Sequence, residues 1–204
     1  MLVLSTILAA VQPKVIVVGT AVWIGVSNPG PGNITACVTS VGAHHDTAGE
    51  FNVNVHACRS DDEFVPLRPG DSYLFLHSRA ARGSNKYLLN LFVSESAGNR
   101  SSVKLEIDAS KSTRFRLKRR PHPGALYAAQ ENGQIVLENR SDLPFAISAD
   151  SDACVDFDRG KLLLLGHSRI SLPAWLDVAE LAVFDPAKPC MPIGVIPIHR
   201  RRSD

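Results

Sequence analysis

Residues 21–41 read Ala21-Val22-Trp23-Ile24-Gly25-Val26-Ser27-Asn28-Pro29-Gly30-Pro31-Gly32-Asn33-Ile34-Thr35-Ala36-Cys37-Val38-Thr39-Ser40-Val41. Two runs rich in β-branched residues flank the segment Asn28 to Asn33, where Pro sets φ and Gly and Asn accept positive φ. That pattern is strand, turn, strand. Upstream, Val15 to Val18 predicts another strand, closed by Gly19-Thr20. Downstream, Gly42 to Glu50 predicts a polar loop, and Phe51 to Cys58 alternates apolar with polar. Arg68-Pro69-Gly70-Asp71 predicts a turn. Tyr73 to Leu76, Tyr87 to Val93 and Ser102 to Ile107 predict further strands at the spacing of a β-sandwich.

Composition agrees. In 204 residues, 45% hydrophobic and 21% charged, 13 Pro and 14 Gly break the apolar runs into short pieces that long helices would not tolerate. The length fits two sandwiches of about 100 residues.

The second half repeats the plan. Ile135-Val136-Leu137-Glu138-Asn139 matches Ile24-Gly25-Val26-Ser27-Asn28, ending on the same Asn, and Phe145-Ala146-Ile147 matches Ile34-Thr35-Ala36. Leu163 to Leu172 lines up with Leu67 to Leu76, placing Gly166 against Gly70, and Glu180 to Phe184 with Leu89 to Val93. The order of strands and turns resembles the immunoglobulin-like sandwiches in general architecture, without their bracketing of a Trp by paired Cys. The expected fold is all-β: two tandem immunoglobulin-like or jelly-roll-type sandwiches, residues 1–109 and 110–204. Alternation assigns Trp23, Ile24, Val26, Val53, Val55, Leu74, Leu76, Leu89 and Leu91 to the first core. Ile135, Leu137, Phe145, Ile147, Ile170 and Leu172 make the second.

Chemistry-bearing motifs are scarce. His44, His45, His56 and Cys58 are metal-like residue types without the paired spacing of zinc or copper sites. Gly70-Asp71-Ser72 and Gly166-His167-Ser168 lack the strained elbow of a nucleophilic Ser, and a turn entering a strand accounts for both. Asp61, Asp62 and Glu63 read as a solvated loop rather than a calcium site. No catalytic residue, metal ligand or cofactor is therefore expected. Three sequons, at Asn33, Asn99 and Asn139, fall at turns where a glycan would be tolerated. Cys37, Cys58, Cys154 and Cys190 divide evenly between the halves, compatible with one disulfide in each or with buried thiols.

The formal charge of +2 conceals two basic clusters. One is Lys111, Arg114, Arg116, Lys118, Arg119 and Arg120; the other is Arg200, Arg201 and Arg202. A strand over Thr113 to Lys118 would turn Phe115 and Leu117 inward and Arg114, Arg116 and Lys118 outward, toward solvent or phosphates. The apolar start, Met1 to Val11, lacks a basic leader and is too short to span a bilayer. Leu2, Val3, Leu4, Ile7 and Leu8 then form either a first strand or an arm docked on a neighbouring subunit.

These features lead to a non-enzymatic assembly protein. The first expectation is a virion capsid or capsid-decorating (cement) subunit that contacts copies of itself or other structural subunits through its ends. Non-specific nucleic-acid contact through the basic clusters belongs to that reading, and no membrane span does. The alternative is a secreted or cell-surface sandwich protein of the adhesin or pilus type, with disulfides.

Overall fold

The computed structural model describes residues 11–45, 49–54, 58–59, 64–78, 86–94, 100–108, 112–117, 121–131, 134–149, 161–172 and 178–200. Among them the chain is nearly all β, with one 3-10 turn at Pro123–Ala125. The first nine strands are β1 (Gln12–Val18), β2 (Ala21–Ser27), β3 (Ile34–His45), β4 (Gly49–Asn54), β5 (Val65–Leu67), β6 (Ser72–Ser78), β7 (Lys86–Ser94), β8 (Arg100–Asp108) and β9 (Thr113–Phe115). The remaining seven are β10 (Leu126–Glu131), β11 (Gln134–Asn139), β12 (Phe145–Ser148), β13 (Leu162–Leu164), β14 (Arg169–Leu172), β15 (Glu180–Asp185) and β16 (Lys188–Arg200).

In the first half, β1, β2 and β6 form one antiparallel layer, with β9 added parallel to β1. The facing layer runs β4-β3-β7-β8, with β5 also paired to β3. Strands 1, 2 and 6 opposite strands 3, 7 and 8 is the immunoglobulin-like division. Ile24, Val26, Ile34, Ala36, Val38, Leu89, Leu91, Val93, Val103, Leu105 and Ile107 fill the space between the layers. The second half repeats the pairing: β10-β11-β14 form one group, and β13-β12-β15-β16 the other. The end of β16 runs parallel to β10, as β9 does to β1. One long β16 thus does the work of β8 and β9 together. Its core holds all six residues expected there: Ile135, Leu137, Phe145, Ile147, Ile170 and Leu172.

The shared asparagines explain the repeat. Asn28 is fully buried, and its Nδ2 donates to the carbonyls of Gly32 (2.7 Å) and Leu67 (3.0 Å), while its Oδ1 accepts from the Gly30 N–H. Asn139 does the same with the carbonyls of Leu143 and Leu165 and the N–H of Ser141. Each amide ties the turn after its own strand to the chain entering the later Gly turn.

Those bonds also correct the alignment. Asn28 N–H meets the Asp71 carbonyl and Asn139 N–H meets that of Ser168, and the left-handed residue is Gly70 (φ 86°) in one turn and His167 (φ 55°) in the other. Gly70 therefore corresponds to His167, not Gly166. A slip of one residue exchanges the faces of a strand, and here Tyr73, not Leu74, points into the first core. Leu74 and Trp23 join Ile16, Val18 and Ala21 in a separate cluster with Ala146, Leu163, Ala182 and Phe184 of the second half. The expectation that Trp23 and Leu74 belong to the first core is thus corrected. They face outward from that sandwich and bury the contact between halves, where Trp23 Nε1 donates to the Pro186 carbonyl at 3.2 Å. The halves are also continuous in one eleven-stranded path, joined where β13 meets β6. Close approach governs Gly25, where a Cβ would lie 1.8 Å from the Tyr73 carbonyl oxygen.

Other boundaries differ from expectation. The polar segment Gly42 to Glu50 is not wholly loop: β3 runs to His45 and β4 starts at Gly49, because cross-strand pairing of His45 with Gly49 outweighs local polarity. Of the run Phe51 to Cys58, β4 takes in Phe51 to Asn54, and residues 55–57 lie outside the described residues. β9, beyond the expected boundary at residue 109, pairs with β1. The side chains of Val53, Val55 and Leu76 lie outside the described residues, as do residues 1–10.

Candidate binding edge

Among the described residues, the strand order leaves open edges at β4 and β8 in one sheet and at β9 and β14 in the other. β9 has three residues and β14 four, whereas β8 has nine. β8 pairs with β7 without interruption, from Lys86 opposite Asp108 to Ser94 opposite Arg100. In an antiparallel pair, alternate residues turn their N–H and C=O away from the neighbour. A straight nine-residue edge therefore presents a row of such groups on its free side. Val103, Leu105 and Ile107 sit in the core beneath it, and Ser102, Lys104, Glu106 and Asp108 are exposed on the outer face.

Protein edges ordinarily carry Pro, bulges or short strands that discourage pairing. The corresponding strand of the second half differs: β16 pairs with β10 through Ile198 to Arg200, carries Pro189, Pro192 and Pro197 before that, and shifts register against β15 around Phe184. β8 has no Pro and no register shift.

One end of the edge is braced. A disulfide joins Cys37 of β3 to Cys58, with Cα atoms 5.8 Å apart. It packs with Phe64 and Phe92, and the Arg100 guanidinium lies 4.6 Å from the centre of the Phe64 ring. Cys190 is likewise disulfide-bonded; Cys154 lies outside the described residues. Since Cys58 is oxidised, the group His44, His45, His56 and Cys58 offers no thiolate to a metal.

Around the turn Arg68 to Asp71, the Asp71 carboxylate accepts from the Arg68 N–H at 2.9 Å. Burial nevertheless raises its pKa, opposed by that bond and by the Arg68 charge. Ser72 is buried and accepts from Lys14 Nζ at 2.9 Å, a bond across strands rather than a nucleophile's setting. Burial holds the Lys14 pKa below its usual value. On the second half, Arg140 pairs with Glu138 at 3.0 Å, lowering the Glu138 pKa, and lies over the Tyr127 ring, which also stacks on His199.

The sequence-based site residues do not converge. Arg114 lies on β9, and Arg116 follows it; both are exposed. Arg200 ends β16, separated from β9 by six strands along the sheet path. The expected strand Thr113 to Lys118 shortens to three residues, and Phe115 is 37% exposed rather than packed inward. Only Leu117 reaches a core, at the contact between halves. Lys111, Lys118, Arg119, Arg120, Arg201 and Arg202 lie outside the described residues, as do the arm residues Leu2, Val3, Leu4, Ile7 and Leu8. Nucleic-acid contact has no support in this arrangement. The Asn139 sequon is closed, because that amide is 1% exposed and fully hydrogen-bonded; Asn33 is exposed. β8 itself was legible as a period-two strand, but its edge position was not.

No family model matches the sequence, and no curated protein sequence does either. Among solved structures, the chain is similar to a chaperone–tip adhesion subunit pre-assembly complex, CsuC–CsuE, from the archaic chaperone-usher Csu pili of Acinetobacter baumannii. Identity is 13% and the TM-score 0.29, over 94% of this chain and 98% of that one. The periplasmic chaperone SfaE matches at 10% identity and TM-score 0.27, over 94% and 100% of the two chains. The Salmonella enterica SafA pilin with its SafB chaperone matches at 11% and 0.26, over 91% and 94%. These overlays are loose.

The expectation of a virion capsid or cement subunit, and with it a virion location, is corrected. The similar structures are pilus chaperones, alone or with their subunits. Within the chain, Cys37, Cys58 and Cys190 are oxidised, as suits an oxidising compartment. Among the described residues, no helix is long and apolar enough to cross a membrane.

Proposed function

We propose that this chain is a non-enzymatic binding protein of the pilus-assembly type, composed of two tandem immunoglobulin-like units and working in a periplasmic or extracellular setting. It holds an extended strand of a partner subunit against β8. The observation that carries the reading is the nine-residue, Pro-free edge of β8, set against the proline-bearing β16 of the second half. Adding a strand to such an edge supplies main-chain hydrogen bonds for affinity, and alternate side chains supply selectivity. The oxidised cysteines support the setting, and the cluster between halves, centred on Trp23 and Phe184, supports holding the second unit at a fixed angle to the edge. The complexes named above hold a chaperone with a tip adhesion subunit or a pilin, the kind of partner this reading assigns.

Amide hydrogen exchange tests it. A nine-residue peptide alternating valine with polar residues is added at increasing concentration. Alternate amides of β8 are expected to gain protection while those of β16 do not. Unchanged exchange along β8 at saturating peptide would overturn the proposal.

A further inference from the structure

A backbone edge accepts any extended strand; selectivity has to come from side chains beside it. On β8 the charged positions are not equivalent. Arg100 is engaged over the Phe64 ring, and Asp108 sits opposite Lys86 on β7, both with interactions of their own. Lys104 and Glu106 remain. Their neighbours on β7 are the uncharged Asn90 and Leu88, and Asn90 donates to Ser40. Both are exposed, and neither joins an ion pair among the described residues. Two residues apart on a strand, they lie about 7 Å from each other on the same outer face. Among the described residues, the edge therefore displays one cation and one anion without an ion-pair partner, in fixed order at its middle.

We infer that Lys104 and Glu106 select the partner strand by its charge order: an acidic side chain beside Lys104 and a basic one two residues away beside Glu106, with apolar residues alternating on the face toward Val103, Leu105 and Ile107. Opposite charges directly across two strands stabilise the pairing and like charges oppose it. A strand in the right main-chain register with the reversed order meets two repulsions instead of two attractions. The same two residues thereby fix the register of the added strand, because a two-residue slip moves each charge past its partner. This inference rests on the strand-addition reading above.

The probes are two capped peptides, Val-Ser-Val-Glu-Val-Lys-Val-Ser-Val and the same sequence with Glu and Lys exchanged. Binding to the full chain is measured at low salt. One order is expected to bind roughly fivefold tighter than the other, from two cross-strand charge pairs of ordinary strength. The double variant Lys104→Glu with Glu106→Lys is expected to reverse the preference. The variant Lys104→Gln with Glu106→Gln should abolish it, as should high salt, which screens exposed charges. Both changes are exposed, so unfolding midpoints should match the parent's, which keeps the comparison one of binding. Equal affinity of the parent for both peptides, or a preference that survives the charge reversal, overturns charge selection and leaves strand addition standing. Binding of neither peptide removes both.

Discussion

Asn28 is the residue whose replacement tests most directly how the first half is closed. Its buried amide makes three hydrogen bonds: Nδ2 to the Gly32 carbonyl at 2.7 Å, Nδ2 to the Leu67 carbonyl at 3.0 Å, and Oδ1 from the Gly30 N–H at 3.0 Å. Asn28→Ala removes all three. At roughly 1 kcal/mol net per bond, with a surcharge for carbonyls left buried and unpaired, the loss should be about 3–5 kcal/mol. In a chain of this size each kcal/mol moves the unfolding midpoint by about 2–4 °C, so a fall of about 6–20 °C is expected by calorimetry. Asn28→Asp separates the donors from mere packing, since it keeps the acceptor for Gly30 but turns the donating end toward two carbonyl oxygens as a second acceptor. Its carboxyl pKa would be raised in the fold, so the Asp variant should be least stable at neutral pH. It should recover as pH falls and the group protonates. A loss below about 1 kcal/mol for Ala, or an Asp variant insensitive to pH, would refute the bracing role.

Three further outcomes follow. Trp23→Ala should cost about 3–5 kcal/mol, as for a fully buried aromatic, and should raise exchange in β15 as well as β2, since the indole packs between halves; protection lost in the first half alone would contradict that placement. Asp71→Asn keeps an acceptor for the Arg68 N–H but removes a carboxylate whose pKa burial has raised above its usual 3.8; raised folded pKa means stability present at acid pH and lost as pH rises. The Asn variant should therefore match the parent near pH 3 and exceed it at pH 7, and the reverse in urea melts would show that the Arg68 contacts dominate. Replacing Cys37 and Cys58 by Ala opens a link of 21 residues and should cost about 3 kcal/mol from chain entropy, with no free thiol titrating at either position in the denatured, unreduced parent.

The alternation and turn chemistry around Asn28 and Asn139 were enough to determine an all-β chain with a repeated plan. They rest on local causes: Pro and Gly at turns, period-two burial, and a buried amide needed wherever the same turn has to be held. The six second-half positions assigned from alternation all lie in that core. Face assignment failed where both sides of a strand are apolar. β2 buries both faces, as β6 does from Ser72 to Leu74, so Trp23 and Leu74 look like core from the sequence while serving the contact between halves. Pairing across long separations decided the rest: the one-residue offset that matches Gly70 with His167, the β3–β4 hairpin through a polar segment, and the disulfide partner of Cys37. The candidate edge shows the division most plainly. Ser102 to Ile107 announces itself as a strand, but whether a strand is central or open depends on which others lie beside it. That depends on contacts formed by residues far away in the chain, so only the tertiary structure could show β8 at an edge among the described residues.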